Sequence, residues 1–199
     1  YLSFQDPSEE EKDNPISSMV GNGLRPDLWD CFRNRFNVER IIEIYGASEG
    51  NALFMNLLNK DETIGMTNAR VALFEYDVAE DKLVKDTESK FIEVDEGQPG
   101  LLLVEIGPDA IYNGYTDKKA SEEKVISNVF EEGDRWFNTG DLVKTMDVGF
   151  SLGRTHYQFV DRVGDTFRWK SENVSTNEVA EILNAFDQVN MANVFGVKV

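Results

Sequence analysis

Residues 159–176 read FVDRVGDTFRWKSENVST, and this stretch decides how the rest of the chain is divided. Its first half belongs to HYQFVDRVGDTFRWK, residues 156–170, a run of aromatic and β-branched positions that reads as strand punctuated by Gly164. Its end opens a helix. Ser175 and Glu178 have the spacing of a capping box, and Val179, Ile182, Leu183 and Phe186 then fall at i, i+3, i+4 and i+7, an apolar stripe. A further strand is expected over VNMANVFGVKV, residues 189–199.

Upstream, the opening SFQDPSEEEKDNP, residues 3–15, is polar, carries two prolines and reads as a surface loop. Pro26 suits a first helical turn, and Leu28, Phe32 and Phe36 recur every four residues, so a helix is expected over about residues 26–36. VERIIEIYG, residues 38–46, is a short β-branched run ended by glycine and reads as a buried strand; helix followed by strand favours α/β layering. From Thr63 to Ile106 the texture changes to ARVALFEYDV and GLLLVEIG separated by charged loops and the turn EGQPG, which predicts antiparallel β. DKKASEEKVISNVF, residues 117–130, predicts a second helix with Ala120, Val125 and Val129 on one face. WFNTGDLVKTM, residues 136–146, is a further strand. No internal repeat is present.

The chain has 199 residues, 41% of them hydrophobic, enough for a core, with 37 acidic against 20 basic side chains. The resulting field repels nucleic acid and anionic lipid, though it does not exclude a nucleotide, whose phosphates can be held locally by backbone N–H groups and one Arg. A single cysteine, Cys31, rules out an internal disulfide, and the sole histidine, His156, has no second His or Cys with which to share zinc. No apolar run is long enough to span a membrane; a cytoplasmic place is expected, with peripheral attachment to the inner face of a membrane left open.

Three stretches besides 159–176 carry chemistry. Tyr45, Gly46, Ala47, Ser48, Glu49, Gly50 and Asn51 follow a strand, where a ligand loop belongs in an α/β sheet. An aromatic ring can stack on a purine, glycine admits a phosphate, the Ser48 hydroxyl can donate to it, and Glu49 can hold Mg²⁺. A glycine-rich turn with a solvated Glu accounts for the same residues. Gly21, Asn22 and Gly23 open GNGLRPD, which is at least the turn into the helix at Pro26. In WFNTGDL, Asp141 could accept hydrogen bonds from two vicinal hydroxyls of a ribose, although an Asp after Gly is often a turn residue.

These strings resemble, over essentially the whole chain, the very-long-chain acyl-CoA synthetase or fatty acid transport protein family of adenylate-forming enzymes. YGASEGN is similar to the family's adenylate signature YGATEGN with Ser48 for Thr, GNGLRPD to its adenine-bordering loop, NTGD to its ribose-binding TGD motif, and 159–176 to FVDRxGDTFRWKGENVST. The resemblance implies the C-terminal part of a large AMP-binding domain over 1–162, with α/β in 1–62 and a mainly β portion, a distorted barrel, in 63–162. It further implies a hinge at 163–165 and the start of a small α+β domain over 166–199. It assigns Ser48, Glu49 and Arg162 to catalysis, Glu49 to Mg²⁺, and Gly21, Asn22, Gly23, Tyr45, Gly46, Ser48, Asp141, Arg162 and Ser171 to ATP/AMP or coenzyme A. Ser171 stands where many relatives have glycine, near the path of the CoA pantetheine, and the hairpin tip at 150–155 is longer than the family's usual one. Neither the family's STGTTGxPK phosphate loop nor its C-terminal catalytic Lys is in the sequence, so the expected function is that of a fragment, by itself inactive, of an ATP-dependent long- or very-long-chain fatty acid CoA ligase. The alternatives are a fatty acyl-AMP ligase loading a carrier protein, and a non-enzymatic fatty acid uptake protein; nucleic acid is not an expected partner.

Overall fold

The computed structural model describes residues 2–46, 52–78, 80–108, 110–114, 118–169, 172–186 and 188–195. Two strands, β1 (Ser18–Gly21) and β2 (Arg40–Gly46), pair in parallel with Gly21 opposite Glu43. A parallel pair needs a crossover. Pro26 starts it as a 3₁₀ turn at Pro26–Leu28, which runs on into a wide π-type turn at Cys31–Arg35, and Asn37 at φ 54° ends it. The helix expected there is thus present but irregular, and it seats Trp29, Phe32 and Phe36 against Val38 and Ile41. Strand β3 (Leu53–Met55) returns antiparallel to β2.

The second layer is built on β4 (Val71–Phe74), the small hairpin β5 (Tyr76–Asp77) and β6 (Lys82–Leu83), and β7 (Gly100–Glu105). Helix α1 (Lys118–Glu123), β8 (Val125–Ser127), β9 (Arg135–Met146) and β10 (His156–Arg162) complete it. The sheet order is β10-β9-β7-β4, with β8 also on β9, and every pairing is antiparallel. Leu101, Leu102, Leu103 and Val104 are all fully buried because β7 is covered on both faces. Leu102 and Val104 pack with Tyr45 and Phe54, Leu101 and Leu103 with Phe74 and Trp136. A continuous apolar run, rather than an alternating one, is what such a central strand requires. Among the described residues no pairing joins β4 to β10, so the expected distorted barrel is an open sheet here.

Residues 63–66 stitch the two layers together. Met66 bridges Met55 of β3 while Ile64 and Gly65 exchange hydrogen bonds with Tyr157 of β10. The helix expected over 117–130 is a correction: only Lys118–Glu123 is helical, and Val125 and Ile126 leave it to pair with Phe137 and Trp136. Their β-branched side chains gain more from that pairing than from extending a short helix.

After β10 a 3₁₀ turn (Val163–Asp165) leads to the hairpin β11 (Phe167–Trp169) and β12 (Glu172–Val174), then to α2 (Thr176–Asn184). The capping box forms on its serine side, Ser175 accepting the Glu178 N–H. The stripe beyond it does not make a core, for Ile182 and Phe186 are 64% and 56% exposed and Leu183 is exposed too. Residues 188–195 form no strand, contrary to expectation, and 196–199 lie outside the described residues.

Candidate functional site

The NTGD turn interrupts β9 for reasons local to its sequence. Leu101 and Leu103 of β7 pair with Leu142 and Asn138, so Thr139, Gly140 and Asp141 all stand opposite Leu102 as a bulge. The Thr139 hydroxyl donates to the Leu102 carbonyl at 2.9 Å and accepts the Asp141 N–H at 3.1 Å, and the Asn138 side chain accepts the Gly140 N–H at 2.9 Å. Gly140 takes φ +76°, a left-handed conformation suited to glycine. A bulge of this kind re-aims the side chain that follows it. Asp141 accordingly faces a cleft and pairs in register with Arg162 at the end of β10, with Nε to Oδ1 at 3.8 Å. The Arg162 side chain is 74% exposed, leaving its fork free to turn towards a ligand.

Tyr45 supplies the third contact, its hydroxyl donating to Asp141 Oδ2 at 2.5 Å. Burial first, then the Asp141 carboxylate, push the Tyr45 hydroxyl far above its ordinary range, so it stays a donor at neutral pH. The ring is buried against Phe54 at 5.4 Å, edge to face, and against Phe159 at 6.3 Å. In this arrangement the hydroxyl, rather than a ring face, is what Tyr45 offers through Asp141.

The cleft is lined as well by the turn of Asn22 and Gly23 and by Gly46. That turn is held by a residue that sequence reading passed over. Glu43 is 2% exposed; its Oε1 accepts N–H groups from Gly23 and, at 2.9 Å, Leu24, while Oε2 is buried without a partner among the described residues. A Cβ on Gly21 would stand 3.3 Å from that oxygen, which explains a small residue at this position. Burial raises the Glu43 carboxyl and the two loop N–H groups partly offset the rise. Its only sequence signal was an acid on the inward face of β2, in step with Ile41 and Tyr45.

The cleft measures about 1160 Å³ and is also lined by Lys144, Gln158 and the α2 residues Asn177, Glu178 and Glu181. It brings together Asn22, Gly23, Tyr45, Gly46, Asp141 and Arg162; Gly21 is not among its lining residues and lies opposite Glu43 in the β1–β2 register. Ser48, Glu49 and Ser171 lie outside the described residues. Among the described residues no group of three or more His, Cys, Asp or Glu side chains could hold a metal ion, and no helix is long and apolar enough to cross a membrane.

A medium/long-chain-fatty-acid–CoA ligase of Mycobacterium tuberculosis is 41% identical over 199 residues, covering 100% of this chain and 32% of that protein. Long-chain fatty acid transport protein 3 of Homo sapiens is 37% identical over 206 residues, covering 100% of this chain and 29% of that protein. The chain belongs to the family of fatty-acid–CoA ligases and long-chain fatty acid transport proteins. It spans about a third of the length of these relatives. No protein-family model matches it. The fold is that of the adenylate-forming ligases. An anthranilate CoA ligase in complex with anthranoyl-AMP superposes with a TM-score of 0.65 at 20% identity, over 98% of this chain and 34% of that one. ATP-bound MatB from Rhodopseudomonas palustris gives 0.63 at 20% identity, over 92% of this chain and 32% of that one.

Proposed function

We propose that the cleft is the nucleotide half of the active site of an ATP-dependent ligase that joins long-chain fatty acids to coenzyme A. The observation that carries this reading is the register of β9 against β10, which sets Asp141 and Arg162 side by side at a cleft that a glycine turn also lines. Asp141, held by the Tyr45 hydroxyl, suits the two vicinal hydroxyls of a ribose. Arg162 suits the neighbouring phosphate, where a guanidinium also stabilises charge gathering on phosphorus.

In the reaction proposed, the fatty acid carboxylate attacks the α-phosphorus of ATP, pyrophosphate leaves with its electron pair, and the CoA thiol then displaces AMP from the acyl-adenylate. The described residues bind and orient the nucleotide in both steps. Mg²⁺ is assigned to Glu49, and contact with the CoA path to Ser171, on the likeness of their motifs alone. Fatty acid and CoA are likewise proposed partners, from the names of the relatives. Those names favour one second reading, fatty acid uptake without ligation, and pyrophosphate exchange into ATP separates the two.

Titration of this chain with AMP, followed by calorimetry, tests the site directly. Asp141→Ala is expected to weaken binding by about tenfold or more, since a hydrogen bond to a charged group is worth about 1.5–3 kcal/mol. Unchanged affinity in the variant would remove Asp141 from the site.

A further inference from the structure

Strand β9 has two edges, and β7 takes one of them on both sides of the bulge. The other edge is shared, β8 pairing with residues 135–137 and β10 with residues 141–146. Between these two strands Thr139 and Gly140 have no strand partner on that edge among the described residues, so the bulge stands in a notch of the sheet. A cation occupies each lip of the notch. Arg162 partners Asp141 where β10 ends, and Lys124, the residue before β8, accepts the Asn138 N–H on its carbonyl at 2.8 Å. The Lys124 side chain reaches into the notch, for its Nζ lies 3.5 Å from the place where a Cβ on Gly140 would stand.

The early end of α1 at Glu123 is what puts Lys124 there, since the pairing of Val125 with Phe137 fixes the preceding residue beside Asn138. Its ammonium has no ion pair and no hydrogen bond among the described residues, and the adjacent Glu123 pairs with Lys119 instead, at 3.8 Å. The other cations that line the cleft are committed or displaced. Arg25 pairs with Asp27 at 2.9 Å, Arg162 stands 3.8 Å from Asp141, and Lys144 lies further along β9, opposite Gln158. Four carboxyl side chains, those of Glu43, Glu62, Glu178 and Glu181, line the same cleft. A nucleotide phosphate, carrying about −1.5 to −2 at neutral pH, meets their repulsion, and Arg162 beside Asp141 offsets only part of it. Lys124, Gly140 and Gly164 also line a second cavity of about 1170 Å³, so the notch is open on both sides and the ammonium has room to follow a ligand.

Resting on the nucleotide reading above, we propose that Lys124 is a second phosphate-binding residue: with Arg162 it holds the nucleotide phosphate at the notch beside Gly140, one cation from each strand that flanks the bulge. Arg162 meets the phosphate with a planar fork, Lys124 with a compact ammonium whose three donors rotate. Asp141 and the Tyr45 hydroxyl behind it serve the sugar. Loss of Lys124 therefore weakens the hold on the phosphate and leaves the hold on the nucleoside.

Calorimetric titration of this chain with AMP and with adenosine is the test. Lys124→Met keeps an unbranched side chain and removes the charge, so AMP affinity should fall by about tenfold while adenosine affinity stays within about twofold. Lys124→Arg, which keeps the charge, should retain most of the AMP affinity. Lys90→Met removes an exposed charge paired with Glu88 and should leave both affinities unchanged, which separates a local contact from the change in net charge. Equal losses for AMP and adenosine in Lys124→Met, no loss for either, or the same loss of AMP in Lys90→Met would overturn the assignment. If the unmodified chain binds neither AMP nor adenosine, the proposed function falls, and inorganic phosphate then decides the notch by itself. Its addition should shift the amide resonances of Gly140 and Asp141 in the unmodified chain and not in Lys124→Met; shifts that are equal in the two, or absent from both, would overturn the phosphate site.

Discussion

Tyr45 and Glu43 sit two apart on the same face of β2 and do opposite things with a buried polar group. Tyr45 donates a hydrogen bond to Asp141 and stays protonated. Tyr45→Phe keeps the ring packing and removes the donor, so AMP affinity should fall several-fold while stability drops by about 1.5–3 kcal/mol, the usual worth of a hydrogen bond to a charged group. Calorimetric titration and urea unfolding read the two effects separately. Glu43 keeps a charge that burial disfavours: its raised carboxyl means that the folded chain binds more protons than the unfolded one between the ordinary and the raised pKa. Stability therefore falls as pH rises through that window. In Glu43→Gln this descent should be missing, and the difference between variant and wild type in urea midpoints, followed from pH 4 upward, measures it; parallel profiles would show that Glu43 is not desolvated. Asp141 and Arg162 were legible in the sequence as motif residues. Glu43 was not, because the loop N–H groups that bury it come from 19 and 20 residues away.

At the scale of elements, strands with strong apolar runs were readable: 38–46, 100–107 and 136–146 each became the strand expected. Helices were less so. In 117–130 the helical spacing of Ala120, Val125 and Val129 lost to the pairing of Val125–Ser127 with β9, a choice that depends on a partner strand the local pattern does not name. The stitch at 63–66 was equally hidden. Gly65 lies at φ +85°, and a Cβ there would sit 2.0 Å from the Met55 carbonyl oxygen, so the two layers meet at a point that admits only glycine. Gly65→Ala is expected to destabilise by more than about 3 kcal/mol, since backbone strain and a clash with main chain act together. Gly140→Ala has no such clash, with its nearest neighbour the end of Lys124 at 3.5 Å, and should cost only about 1 kcal/mol through φ +76° while moving Asp141. Urea unfolding with AMP titration distinguishes them: Gly65→Ala should lose stability first, Gly140→Ala ligand first.

For the whole molecule the dominant feature is charge. The excess of 37 acidic over 20 basic residues leaves a net −17, and the pairs that offset it are mostly thin. Lys82 with Glu80, Lys90 with Glu88 and Lys119 with Glu123 are all between two exposed side chains, each worth about 0–1 kcal/mol. Among the described residues only Arg35 with Glu11 is well enclosed, at 17% exposure on each side. Added salt weakens such pairs and also screens the repulsion among the excess carboxylates, including that of Glu62, Glu178 and Asp27 on Glu181 around the cleft. Seventeen uncompensated charges outnumber the pairs that salt can weaken, so screening of repulsion wins. Raising sodium chloride from about 10 mM to about 0.5 M shortens the screening length from about 30 Å to about 4 Å and should raise the urea midpoint of the chain. Chloride rather than sulfate is the appropriate anion, because excluded salts stabilise folded proteins whatever their charge. A midpoint that stayed flat or fell would mean that the described ion pairs, and not the acidic excess, set the electrostatic balance of the fold.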